Sequence, residues 1–217
     1  MPPHQERQEF DRELSDIEAR VIELFTMVVE DLPKATDILL SGTAEKVRAL
    51  AERDRVIDAL YPEIEDLVDR EILLQQPVAG DLRLLVSVLR VVPELERSHD
   101  LVVEIARRAS HILGDDLTPR SRALVEQMGT LASEMWREAV DCWCERDRSA
   151  AVALSERDNE MNELYASLIA EIASGRMTVP VTMEMTLVAR FYERLGDHAV
   201  NIARRVAYLA GSGFKSD

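Results

Sequence analysis

Two acidic elements recur 97 residues apart, Glu96-Arg97-Ser98-His99-Asp100 and Glu193-Arg194-Leu195-Gly196-Asp197. Each is followed by Ile-Ala-Arg-Arg, at Ile105 to Arg108 and at Ile202 to Arg205. Residues four apart share a helix face, so Glu96 with Asp100 and Glu193 with Asp197 form matched carboxylate pairs. Upstream, Asp54 and Asp58 make a further pair, and Asp158 takes the place of Asp54 in the second half. Hard, oxygen-only donors of this kind suit magnesium, manganese or iron better than thiophilic metals. The competing reading leaves the acids neutralised by Arg97, Arg194 or other cations in interhelical salt bridges.

Asp54 and Glu96 stand where the apolar stripe of their helices would continue. A carboxylate buried or half-buried there is costly unless it is paired or coordinated. The counterpart of Asp58 in the second half is Asn162, which offers a carbonyl oxygen without charge. The second set is therefore expected to bind a cation more weakly. Glu96-x-x-His99 matches the Glu-x-x-His of carboxylate di-iron bundles, but the second half reads Glu193-Arg194-Leu195-Gly196. His198 is expected in the core or facing solvent rather than as a ligand. No Gly-rich phosphate loop, nucleophile motif or other catalytic constellation is visible.

The elements that must position these groups are helices. Phe10, Leu14, Ile17, Val21, Leu24 and Val28 follow spacings of four and three, an apolar stripe suited to shallow helix packing. This first helix is expected to reach Leu40 with a bend at Pro33, and Ser41-Gly42-Thr43 supplies a stop and a fresh cap. A second helix carries Leu50, Ile57, Tyr61, Ile64 and Val68, ending before Gln75-Gln76-Pro77-Val78-Ala79-Gly80. A third carries Leu82, Leu85, Leu89, Val92, Val103 and Ala106, with a kink expected at Pro93. Gly114-Asp115-Asp116-Leu117-Thr118-Pro119 is a break, with Thr118 as N-cap and Pro119 at the first helical position.

The pattern then restarts with Leu124, Met128, Leu131 and Met135. Asp158, Met161, Tyr165, Leu168 and Ile172 fall 104 residues after Asp54, Ile57, Tyr61, Ile64 and Val68, and Val188 to Leu209 carry a sixth stripe. The expected fold is all-α, two tandem three-helix bundles, with residues 1–114 in the first repeat and 115–217 in the second.

Charge and composition narrow the function classes. The chain of 217 residues is 47% hydrophobic and 31% charged, with a formal charge of −15. Such a balance argues against phosphate-backbone binding and against direct adsorption to an anionic membrane. Cys142 and Cys144, at i and i+2, are poorly placed for a disulfide or a zinc site, which suggests a reduced, cytoplasmic compartment. Residues Met1 to Phe10 hold no apolar signal core, and the run Leu84 to Val92 is too short to span a bilayer.

Nearly the whole chain resembles the PhoU family of phosphate-signalling regulators. The likeness rests on Gln75-Gln76-Pro77-Val78-Ala79-Gly80-Asp81-Leu82-Arg83 with Leu95-Glu96-Arg97, and on Phe191-Tyr192-Glu193-Arg194-Leu195-Gly196-Asp197-His198-Ala199-Val200-Asn201-Ile202-Ala203. The resemblance implies tandem three-helix bundles and multinuclear metal clusters, iron or zinc in some members, on paired Glu/Asp-x-x-x-Asp motifs. By position these would be Asp54, Asp58, Glu96 and Asp100 in one repeat, and Asp158, Glu193 and Asp197 in the other. It further implies a non-enzymatic cytoplasmic homodimer. Such a regulator links a high-affinity phosphate ABC transporter to a sensor histidine kinase and holds the starvation response off when phosphate is plentiful. The alternatives are a carboxylate-bridged metalloenzyme and a plain helical scaffold without metal. The chain departs from the family pattern at Asn162 and at Ser98-His99, where a hydrophobic residue and Gly are typical. Its second repeat also lacks a close copy of the Gln-Gln-Pro loop.

Overall fold

A computed structural model describes residues 3–41, 44–111 and 117–210. Among the described residues there are six α-helices: α1 (Pro3–Ser41), α2 (Ala44–Gln75), α3 (Ala79–Arg107), α4 (Pro119–Glu145), α5 (Ala150–Ala173) and α6 (Val179–Ala210). A 3-10 turn, Arg108–Ser110, extends α3. The architecture is two tandem three-helix bundles, α1–α3 and α4–α6. The expected stop at Gly42-Thr43, the stretch 112–116 and hence the division at 114/115 lie outside the described residues.

Most of the stripe residues read from spacing are buried, but Leu82 at the start of α3 is exposed and Tyr61 and Leu89 are half-buried. Ile17, Val21, Leu24 and Val28 of α1, Ile57, Ile64 and Val68 of α2, and Val92, Val103 and Ala106 of α3 are all in the core. Leu124, Met128, Leu131 and Met135 of α4 repeat the arrangement. Thr118 caps α4 as expected, its hydroxyl accepting from the Ser121 N–H at 3.0 Å with Pro119 in the first turn.

One expectation about a helix end is corrected. The break after α2 is confined to Gln76–Val78, because Gln75 is helical and Ala79 and Gly80 already belong to α3. Gln76 and Ala79 take φ of 48°, so two left-handed residues complete the turn without a glycine at either place. Pro33 and Pro93 lie inside their helices, as expected. α1 and α3 run through them, and α2 runs through Pro62 as well. Each proline forfeits one intrahelical bond, a loss that tertiary packing of these long amphipathic helices outweighs.

The bundles are joined along two seams, α3 on α6 and α1 on α4. At the second seam Phe25 lies 6.4 Å from the ring of Trp136 and 6.0 Å from that of Trp143, both tilted. The Trp136 indole N–H donates to the Leu195 carbonyl at 3.1 Å, and the Tyr192 hydroxyl meets Thr36 Oγ1 at 2.7 Å. Arg146, left-handed at the end of α4, covers Trp143 and pairs with Glu18 of α1. Gly129 lets α4 approach α1 closely, since a Cβ there would sit 2.5 Å from Thr36 Oγ1 and 2.6 Å from Thr36 Cγ2.

Thr36 is β-branched and stiff, and its hydroxyl is already held by Tyr192, so it has little freedom to yield. Gly129→Val is expected to lower stability by about 1–3 kcal/mol through overpacking. A urea midpoint unchanged from the parent would show that the seam is looser than this packing implies.

Candidate metal-binding clusters

Between α2 and α3 the sequence-predicted carboxylates of the first repeat face one another. Asp54 is half-buried, Glu96 is at the edge of the core, and Asp58 and Asp100 are exposed. The Glu96 carboxyl is pushed up, first by burial and then by the charges of Asp100 and Asp58, against the pull of Arg97. Asp100 is raised by burial and then by Asp54 and Asp58. Four acids thus crowd one interhelical face, as their spacing predicts.

The second repeat forms the corresponding group between α5 and α6. Burial and then Asp197 raise Asp158, with Arg204 and Asn162 opposing. Burial also raises Glu193, where the neighbouring Arg190 pulls down and Asp197 and Asp158 push up. Asn162 donates from Nδ2 to Asp158 Oδ2 at 3.4 Å, a long contact that turns its amide nitrogen, not its carbonyl, toward the cluster.

The anticipated arginine partners are corrected. Arg97 pairs with Glu94 at 3.0 Å rather than bridging Glu96, and the ion pair on Glu193 comes from Arg190, not Arg194. The reason is geometric. Arg97 and Glu94, like Arg190 and Glu193, are three apart on one helix and therefore neighbours. The Glu-x-x-His reading also fails, because His99 turns away from Glu96 into the protein. His198 is buried, its Nδ1 2.8 Å from Ser98 Oγ at the seam between the bundles. Burial lowers its pKa, although Glu94 pulls the other way.

His99 is fully buried between α1 and α2. Its Nδ1 lies 2.8 Å from Asp54 Oδ1 and its Nε2 3.1 Å from Asp31 Oδ2. Carboxylate oxygens only accept, so both ring nitrogens donate and the ring is an imidazolium. Burial alone would lower its pKa, but the bonds to Asp31 and Asp54 outweigh it and raise it. Asp31, with no exposed surface, is also held by Lys34 at 2.9 Å and Arg53 at 2.6 Å. Burial would raise its carboxyl, and the His99 and Lys34 hydrogen bonds with the Arg53 charge carry it below its ordinary value. Asp31 was not among the residues singled out from sequence. The signal was there, since Asp31 stands 104 residues before Met135, at a stripe position of α1.

Cation fit can be judged from these donors. Among the described residues no three His, Cys, Asp or Glu side chains converge tightly enough to enclose an ion. Each cluster nonetheless presents oxygen donors from two helices, and the outer ones, Asp58, Asp100 and Asp197, are exposed side chains free to change rotamer. Asp158 Oδ1 is buried without a hydrogen-bond partner. An oxygen-rich, charge-crowded set with mobile outer members suits a hard divalent cation.

The paired acidic faces on a duplicated bundle define a class of helical repeat protein, and comparison with known proteins identifies the family. The PhoU domain model matches twice, over residues 21–109 and 125–206. The chain belongs to the PhoU family. A phosphate-specific transport system accessory protein PhoU homolog of Pseudomonas aeruginosa is 30% identical over 213 residues, 95% of this chain and 87% of that protein. The corresponding homolog of Aquifex aeolicus is 32% identical over 203 residues, 92% and 91% of the two chains. A crystal structure of PhoU from Pseudomonas aeruginosa superposes with a TM-score of 0.85 at 28% identity, covering 92% of this chain and 98% of that one. The phosphate transport system regulatory protein PhoU from Streptococcus pneumoniae gives 0.84 at 26% identity, over 93% and 97%.

A carboxyl whose folded pKa is raised weakens the fold above that pKa, and the penalty is relieved as pH falls through it. Glu96→Gln removes the penalty, so the metal-free protein should melt higher at pH 7, by a few degrees at about 2–4 °C per kcal/mol. Asp31→Asn, which removes a carboxylate held below its ordinary value, should melt lower. A calorimetric scan in chelator with the opposite order would refute the assignment of these two environments.

Proposed function

We propose that this chain is a non-enzymatic regulator of phosphate homeostasis, acting in the cytoplasm to repress phosphate-starvation signalling. The observation that carries the reading is the match, over nearly the full length of both chains, to accessory proteins of the phosphate-specific transport system. Its partners would be the transporter and a sensor histidine kinase, and its working form a homodimer. Among the described residues no helix is long and apolar enough to cross a membrane, so contact with a membrane machine would come through those partners. The grooves of about 530 Å3 along α1/α4 and 620 Å3 along α4/α5 are lined by none of the seven cluster carboxylates. His99, beside Asp54 of the first cluster, has both nitrogens engaged. Both features favour an adaptor over a metalloenzyme.

In this reading Asp54, Asp58, Glu96 and Asp100 hold a hard cation in the first repeat, and Asp158, Glu193 and Asp197 hold one in the second. Magnesium, manganese or iron fits the oxygen donors better than zinc. A bound cation supplies local positive charge on an acidic surface. Through it these residues would tie α2 to α3 and α5 to α6, steadying the helix faces on which partner helices would dock.

In a strain lacking this gene and any second copy, phosphate uptake and phosphatase expression in abundant phosphate should both be derepressed, and the intact gene should reverse both. Normal repression in that strain would refute the regulatory role. For the cation, Asn162→Asp adds a fourth carboxylate to the second cluster and should tighten Mn2+ binding there. Equal affinity in a calorimetric titration would remove position 162 from the site.

A further inference from the structure

The two repeats differ at one buried spot in a way that bears on the first cluster. In the second repeat a Cβ on Gly196 would lie 2.9 Å from Asp158 Oδ1 and 3.6 Å from Met135 Cε. In the first repeat His99 replaces Gly196, Asp31 replaces Met135, and Asp54 replaces Asp158. The imidazolium therefore fills the place of the Met135 side chain, and Asp31 balances its charge. The same inward oxygen has two fates. Asp54 Oδ1 accepts from His99 at 2.8 Å, whereas Asp158 Oδ1 is buried with no partner. The flanking ion pairs are shared, Arg53 with Glu30 at 2.9 Å and Arg157 with Glu134 at 2.7 Å.

We propose that His99 is a positioning residue for the first carboxylate cluster: anchored on Asp31, it fixes Asp54 by its inward oxygen and turns the other toward Asp58, Glu96 and Asp100. This inference rests on the cation reading of the cluster. A carboxylate whose inner oxygen is hydrogen-bonded holds one orientation, and loss of such an outer partner typically costs ten- to a hundredfold in metal affinity. In the second repeat the inner oxygen of Asp158 has no donor, and only the long contact from Asn162 to its outer oxygen orients that carboxylate. His99 thus makes the first cluster the tighter of the two, beyond the difference that Asn162 brings.

The second repeat supplies the control. The D31M/H99G variant copies the Met135/Gly196 pair into the first repeat and leaves Arg53 on Glu30, where Arg157 holds both Glu134 and Glu138. It should fold, with a melting temperature above that of either single variant, because D31M crowds a buried imidazolium left with Asp54 alone against an apolar side chain, and H99G leaves a void beside Asp31. Its Mn2+ affinity at the first cluster, read by titration calorimetry in an E193Q/D197N background, should fall about tenfold or more. Affinity equal to or tighter than the parent's, in the same background, overturns the role of His99 while leaving the cation site standing. If the parent binds no Mn2+, or binds it equally well as E96Q/D100N, the cation reading itself fails and this inference with it. Should D31M/H99G not fold, the parent protein decides. The 15N resonances of the His99 ring should shift on Mg2+ titration with the midpoint of binding, and signals unmoved through saturation overturn the proposal.

Discussion

The structure depends on α3 and α6 occupying the middle. α3 packs on α1, α2 and α6, and α6 packs on α3, α4 and α5. A helix with three neighbours leaves only a narrow strip for solvent, and every polar residue on it must compete for that strip or find a partner inside. Val88, Val92, Leu95, Val102 and Ile105 of α3 are buried, each worth about 1.5–3 kcal/mol. That sum outweighs the partial desolvation of Glu96 and Asp100 at the edge of the same helix. The raised carboxyls are a consequence of where the helix must lie. They also make the clusters receptive to charge compensation, because each acid sits among others with part of its hydration removed.

Much of this was legible in the chain. Period-3.6 stripes gave six helices, Thr118-Pro119 gave the start of α4, and the internal repeat placed Asp54, Asp58, Glu96 and Asp100 together, with Asp158, Glu193 and Asp197 in the matching slots. The choice of ionic partners was not legible, since Arg97 had Glu94 and Glu96 both within plausible reach. Only the rotamer set on an assembled α3 selects Glu94. The inward turn of His198 onto Ser98 depends on how α3 crosses α6, which no single-helix pattern encodes. Asp31 is an intermediate case. Comparing it with Met135 shows a charge on a buried stripe, but its partners come from three segments, Lys34 nearby, Arg53 on α2 and His99 on α3.

The exchange of Asp31/His99 for Met135/Gly196 shows why such a difference between repeats comes as a pair. Met at 31 with His at 99 would crowd a buried cation against an apolar chain. Asp at 31 with Gly at 99 would leave a void and a carboxylate relieved of one of its donors. Only the matched combinations are self-consistent, one ionic and one apolar, in the same backbone frame. Buried ion networks are generally no more stabilising than the apolar packing that can replace them. Stability therefore offers no reason for the first repeat to carry the ionic version when the second shows the apolar one works. The difference that remains is local: one version satisfies the inner oxygen of the cluster aspartate and the other does not. On physical grounds the gain from the ionic pair lies in the ordering of Asp54, and so in the face that Asp54 shares with Asp58, Glu96 and Asp100.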